Sequence, residues 1–143
     1  MIDLRRMRYL INRLPMARFR IDQAAAQATR CTAQLTGMPR GGGGGSQVER
    51  GAELLTAAHE AYAAIRTELD AMRAELAPML DDLAHPLHKT AMRMRYMDGC
   101  SVREIAYRIS YSEQHIFRVL QEAERKIGKN ESCESAYCAQ SRH

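Results

Sequence analysis

The chain has 143 residues, of which 45% are apolar, 27% charged and only 6% aromatic, with a formal net charge of +4. That is the length of one domain or two very small ones, and the apolar content excludes disorder throughout. No apolar run reaches the ~18 residues of a membrane span, Arg5, Arg6 and Arg8 precede no apolar stretch of the secretory kind, and a large enzyme with a deep cleft is not expected.

Alanine occurs 21 times, which favours helix over sheet, and Leu, Met, Ile and Ala must build the core. The fold expected is all-α. Residues 1–30 hold seven Arg against two Asp, residues 47–84 three Arg against eight acids, and residues 85–127 eight basic against five acidic groups. Two basic ends flank an acidic middle; they either meet phosphates or neutralise the segment between them.

In the N-terminal segment, residues 1–36, Met7, Leu10, Leu14, Ala17, Ile21, Ala24, Ala28, Cys31 and Leu35 alternate in steps of three and four. That is a heptad seam. Pro15 interrupts it, so either a short helix ends near Asn12–Leu14 and another starts at Pro15, or one helix kinks there. Residues 37–46 read GMPRGGGGGS, a mobile linker, because consecutive glycines lose much backbone freedom in a helix. The segment 47–84 carries a second seam, Leu55, Ala58, Tyr62, Ile65, Leu69, Met72, Leu76, Met79 and Leu83, on a long helix that Pro78 should end or bend. Two seams joined by a linker predict a helical hairpin within one chain or a homodimer through the long helices. The homodimer is favoured, since one hairpin buries little alone.

Residues 85–128 are the most legible. His85 or Asp82 caps a helix with Pro86 in its first turn, turning Leu87, Ala91, Met94 and Met97 inward, and Asp98-Gly99 stops it. Ser101 with Glu104 forms a capping box for a short helix whose apolar face is Val102, Ile105, Ala106 and Ile109. Ser110-Tyr111 is a turn, and Ser112 caps a last helix with a stripe of Ile116, Val119, Leu120, Ala123 and Ile127, ended by Gly128. Residues 129–143 read as a disordered tail.

A short helix, a tight turn and a second capped helix is the helix-turn-helix arrangement. Its last helix exposes Glu113, Gln114, His115, Phe117, Arg118, Gln121 and Glu122. Gln114 can pair with an adenine edge, Arg118 with guanine O6 and N7, and Glu113 can accept from cytosine N4; His115 reaches base or phosphate. Arg103, Tyr107, Arg108, Tyr111 and Ser112 flank that surface and can hold phosphates.

The stretch SVREIAYRISYSEQHIFRVLQEAERKI at 101–127 resembles region 4 of the sigma-70 family, with Ser101, Ile105, Ala106, Ser112, Ile116, Val119 and Ala123 at its cap, core and turn positions. The preceding MRMRYMDGCSVREIA is similar to the signature of sigma-like phage proteins, and the layout resembles phage-encoded regulators of the ArpU, RinA and DUF1492 type. The resemblance implies a phage or prophage transcriptional regulator that binds double-stranded DNA sequence-specifically, contacts bacterial RNA polymerase and lies in the host cytoplasm at the nucleoid. Glu113 departs from it, since region 4 places basic residues early in the recognition helix, and nothing resembles sigma region 2. A small terminase-like packaging subunit and a helical adaptor that never touches DNA are the competing readings.

No catalytic constellation, cofactor or metal site is expected. His85 and His88 near Asp81 and Asp82 suit a cap and an exposed turn better than a metal site, and Cys133, Cys138 and His143 in the tail make a weak metal set. Cys100 lacks a base partner and reads as a small hydrophobe; with Cys31 the cysteines fit a reduced compartment.

Overall fold

The computed structural model describes the backbone of residues 2–35 and 44–140 and the side chains of residues 2–30 and 47–128. All its elements are helical: α1 (Leu4–Leu35), α2 (Gly44–Asp81), α3 (Pro86–Met92), a π-helical turn (Arg93–Met97), α4 (Val102–Ile109) and α5 (Glu113–Gln140). Among the described residues no helix is long and apolar enough to cross a membrane. The chain divides into two compact units, residues 9–70 and residues 1–8 with 71–143. This division differs from the segments read in the sequence, because the first eight residues pack with the C-terminal part.

In the unit of residues 9–70, α1 and α2 form an antiparallel hairpin. Ala28 meets Gly51, and Met16, Ala17 and Arg20 line a groove with Ala58, Ala61 and Ile65. The α1 seam is followed by burial, which recurs at Leu10, Ala17 and Ala24 with Leu14, Ile21 and Ala28 half-buried between them. Cys31 and Leu35 have side chains outside those described. Pro15 neither ends α1 nor separates two helices. Its ring is exposed, and the cost of its missing N–H, about 3 kcal/mol, is outweighed by burial before and after it. Helix α2 begins at Gly44, inside the expected linker; the rest of that linker lies outside the described residues except for Ser46 and Gly45, which are helical.

Gly51 is buried where the two helices approach. A Cβ built there would sit 3.5 Å from Ala28 Cα and 3.7 Å from its Cβ, ordinary van der Waals contact. Gly51→Ala is therefore expected to stabilise the protein by about 0.5–1 kcal/mol, because alanine loses less backbone entropy in a helix. Denaturant unfolding should show a raised midpoint; a lowered one would mean that the helices cannot accommodate the methyl group.

The second unit has a continuous core of Met7 from α1, Leu76 and Leu80 from α2, Ala91 and Met92 from α3, Tyr96, Ile105 from α4, and Ile116, Leu120, Ala123 and Ile127 from α5. Helix α2 passes through Pro78, where a stop or bend was expected, and ends at Asp81. Pro78 is exposed, lies within a turn of the helix end, and its carbonyl still accepts from Asp82 N–H at 3.2 Å. Beyond it the apolar seam moves from Met79, which is half-buried, to Leu80, which is fully buried.

Helix α3 starts as expected, with His85 Nδ1 accepting from Leu87 N–H at 3.2 Å and Pro86 in the first turn. Its inward face differs from the expected Leu87, Ala91, Met94 and Met97: the buried residues are His88, Ala91, Met92 and Tyr96. His88, Ala91, Met92 and Tyr96 follow the three- and four-residue steps of one helical face, which passes through His88 and not through Leu87; the π-helical turn, closed by Asp98 N–H on Arg93 C=O at 3.2 Å, comes after Met92. Tyr96 is fully buried, with its hydroxyl donating to Glu124 Oε1 at 2.6 Å. Arg73 Nε donates to Tyr96 C=O at 3.0 Å, and Arg8 lies 3.9 Å from Glu124. Tyr96 thus bonds to α2 through its carbonyl and to α5 through its hydroxyl, and Glu124 in turn meets Arg8 of α1. Burial, then the bond to Glu124, pushes its phenol well above its ordinary pKa.

Candidate nucleic-acid interface

The candidate surface is made by α4, the turn after it and the start of α5. Gly99, at φ 72°, turns the chain out of the π-helical turn. Ser101 Oγ then accepts from Glu104 N–H at 3.2 Å while Glu104 Oε2 accepts from Ser101 N–H at 2.7 Å, the expected capping box. These bonds hold the Glu104 carboxyl below the usual carboxylate range. Ile105 and Ala106 face inward, Val102 and Ile109 are half-buried. The turn places Ser110 in the left-handed region at φ 59°, and the Ser110 and Tyr111 N–H groups both bond to Ala106 C=O. Ser112 Oγ accepts from His115 N–H at 3.2 Å and so caps α5.

All five residues of the expected α5 stripe, Ile116, Val119, Leu120, Ala123 and Ile127, are buried. A helix with one side buried must turn the opposite one outward. That outward line is Gln114, Arg118, Gln121 and Arg125, all exposed, with Glu113 and Phe117 on one flank and His115 and Glu122 on the other. The helix does not stop at Gly128; its backbone continues to Gln140, where a disordered tail was expected. A glycine costs only about 1 kcal/mol inside a helix. Residues 141–143, with His143, and the side chains of Cys133 and Cys138 lie outside the described residues.

Glu113, Gln114 and Arg118 line one open groove, and all the expected site residues are exposed. Tyr111 and His115 stack at 5.0 Å between ring centroids, with planes 20° apart. Arg103, Tyr107 and Arg108 on α4 are exposed, Tyr107 to 87%. The charges are not equal in freedom. Arg108 lies near the committed carboxylate of Glu104. Glu122 is engaged by Lys126 at 3.4 Å, whose bond holds its carboxyl below the usual range. Among the described residues Arg103 and Arg118 make no ion pair. Glu113, also exposed, is the remaining acid on the first turn of α5.

Behind this face lies a polar group that the sequence did not suggest. His88 is buried on α3, its Nδ1 3.4 Å from Lys126 Nζ and its Nε2 3.8 Å from Glu122 Oε2, with the His85 ring stacked at 4.7 Å. Burial first, and the Lys126 charge second, lower its pKa. Asp81 instead pairs with Arg93 at 2.6 Å and Lys89 at 3.5 Å. The set of Asp81, Asp82, His85 and His88 is therefore not assembled, and among the described residues no group of His, Cys, Asp and Glu side chains could hold a metal ion. Cys100 is buried.

Residues 38–128, more than half of the chain, match the family described as protein of unknown function (DUF1492). The chain belongs to the DUF1492 family. No curated protein and no solved structure matches it. The DUF1492 match covers α2, α3, the π-helical turn, α4 and the whole outward face of α5 described above.

Proposed function

We propose that this chain is a sequence-specific double-stranded DNA-binding protein, a transcriptional regulator of phage or prophage type with a module resembling sigma-70 region 4. The observation that carries the reading is the first part of α5: a capped helix with its apolar stripe fully used against the core and the line Gln114, Arg118, Gln121 and Arg125 left to solvent. A helix so presented, after a capped partner helix and a tight turn, suits the major groove. Gln114 and Arg118 carry the donor patterns for adenine and guanine edges, with Glu113 and His115 beside them. Arg103, Tyr107, Arg108, Tyr111 and the Ser112 hydroxyl suit backbone phosphates.

The hairpin unit bears Met16, Phe19 and Leu54, each more than half exposed. They favour a homodimer through the long helices, with bacterial RNA polymerase as a candidate partner. The test is selection of bound duplex fragments from a genomic library, followed by titration of the winning site at rising salt, with sedimentation alongside. A recurrent site, an affinity that falls steeply between about 50 and 200 mM salt, and a dimer are expected. Absence of any salt-dependent duplex affinity would overturn the DNA reading in favour of an adaptor; ring-sized oligomers would favour a packaging subunit.

A further inference from the structure

Phe117 has no evident structural duty. It is 53% exposed on the flank of α5, while the stripe beside it fills the core. A single exposed apolar side chain is ordinary, but Phe117 is not single. It lines an open groove with Val102, from the first turn of α4, and with Glu113, Gln114 and Arg118. Two apolar side chains from different helices therefore sit among the polar groups assigned to base reading. Gln114 and Phe117 are three residues apart, so they are neighbours on the helix surface, about 5–6 Å between Cβ atoms.

We propose that Phe117, backed by Val102, receives the 5-methyl group of a thymine, so that Gln114 and Phe117 together select an A·T-containing step. The inference rests on the DNA-binding reading above and adds a specificity determinant to it. An aromatic ring gains nothing from phosphate, and Glu113 at the rim of the groove repels phosphate. Of the groups that base pairs display in the major groove, the thymine methyl is the apolar one. If Gln114 takes adenine N6 and N7, the thymine paired with it or next to it presents that methyl within reach of a side chain three residues along the helix.

The test uses the full chain and its selected site, with each thymine replaced in turn by deoxyuridine, which keeps base pairing and removes only the methyl group. At one or two positions the wild-type affinity should fall roughly three- to tenfold, the effect of leaving one methyl group unburied. Phe117→Ala should bind the thymine and deoxyuridine duplexes equally, and Phe117→Leu should restore part of the discrimination; circular dichroism checks that both variants fold. A wild-type protein that binds its site specifically yet ignores every thymine-to-deoxyuridine change overturns this proposal and leaves the DNA-binding reading intact. No specific duplex binding at all overturns both.

Discussion

Tyr96→Ala is expected to destabilise the protein by about 3–5 kcal/mol, the range for deleting a large aromatic side chain from a packed core. That is a large share of the ~5–15 kcal/mol that holds a small domain together. The loss has two parts. One is a cavity where a fully buried ring stood. The other is the 2.6 Å bond to Glu124, which would leave that carboxylate with Arg8 at 3.9 Å as its remaining partner. Tyr96→Phe isolates the second part and should cost about 1–3 kcal/mol, the range for a bond to a charged group. Tyr107→Ala is the matched control: its ring is 87% exposed, and its effect should stay within about 0.5 kcal/mol. Denaturant unfolding followed by circular dichroism orders the three. Equal effects at positions 96 and 107 would contradict the packing described. There is also a pH signature. Because the folded state keeps the Tyr96 phenol protonated, the stability this group contributes is complete below about pH 10 and declines as the unfolded chain ionises above it. Tyr96→Phe should remove that part of the alkaline decline.

Arg118→Ala is expected to weaken binding to the selected site by about 1–3 kcal/mol, roughly ten- to a hundredfold, with a much smaller loss on random duplex. Arg118 is chosen because it stands on the outward line of α5, and among the described residues no carboxylate has claimed its guanidinium. Arg108 and Arg125, by contrast, lie near Glu104 and Glu122. Arg118→Lys should lose nearly as much specificity, since a lysine keeps the charge but not the planar fork that grips guanine O6 and N7. Replacing Arg103, proposed to hold a phosphate, should instead weaken all duplexes alike and reduce the salt slope by about one. If Arg118→Ala behaves in that second way in a mobility-shift titration, Arg118 holds the backbone and does not read sequence.

What the sequence made legible was local. The Ser101–Glu104 box, Gly99 and Ser112 lie within a few residues of the contacts they make, the stripe from Ile116 to Ile127 is set by spacing within one helix, and each stands where its pattern put it. The outward set on α5 follows from that stripe by helical geometry alone. What stayed hidden was phase and distance. Pro15, Pro78 and Gly128 all read as punctuation, yet each sits inside a helix; apolar residues on both sides of Pro15 and of Pro78 are buried, and that outweighs one lost bond. The spacing of Leu87, Ala91, Met94 and Met97 also fits a helix, but the buried face passes through His88, Ala91, Met92 and Tyr96. His88 reads as an exposed helix-start residue until α5 is laid over it, bringing in Lys126 from 38 residues further along the chain.

The first eight residues belong with the C-terminal unit. Met7 is fully buried, Ile2 nearly so, and Ile2, Leu4 and Arg5 line one side of a groove completed by Glu124 and Ile127. The compact unit is therefore discontinuous in sequence: a short segment before residue 9 and the chain after residue 70 share one core. A fragment beginning at residue 85 would lose Ile2 and Met7 as well as Leu76, Leu80 and Leu83 from the core it needs.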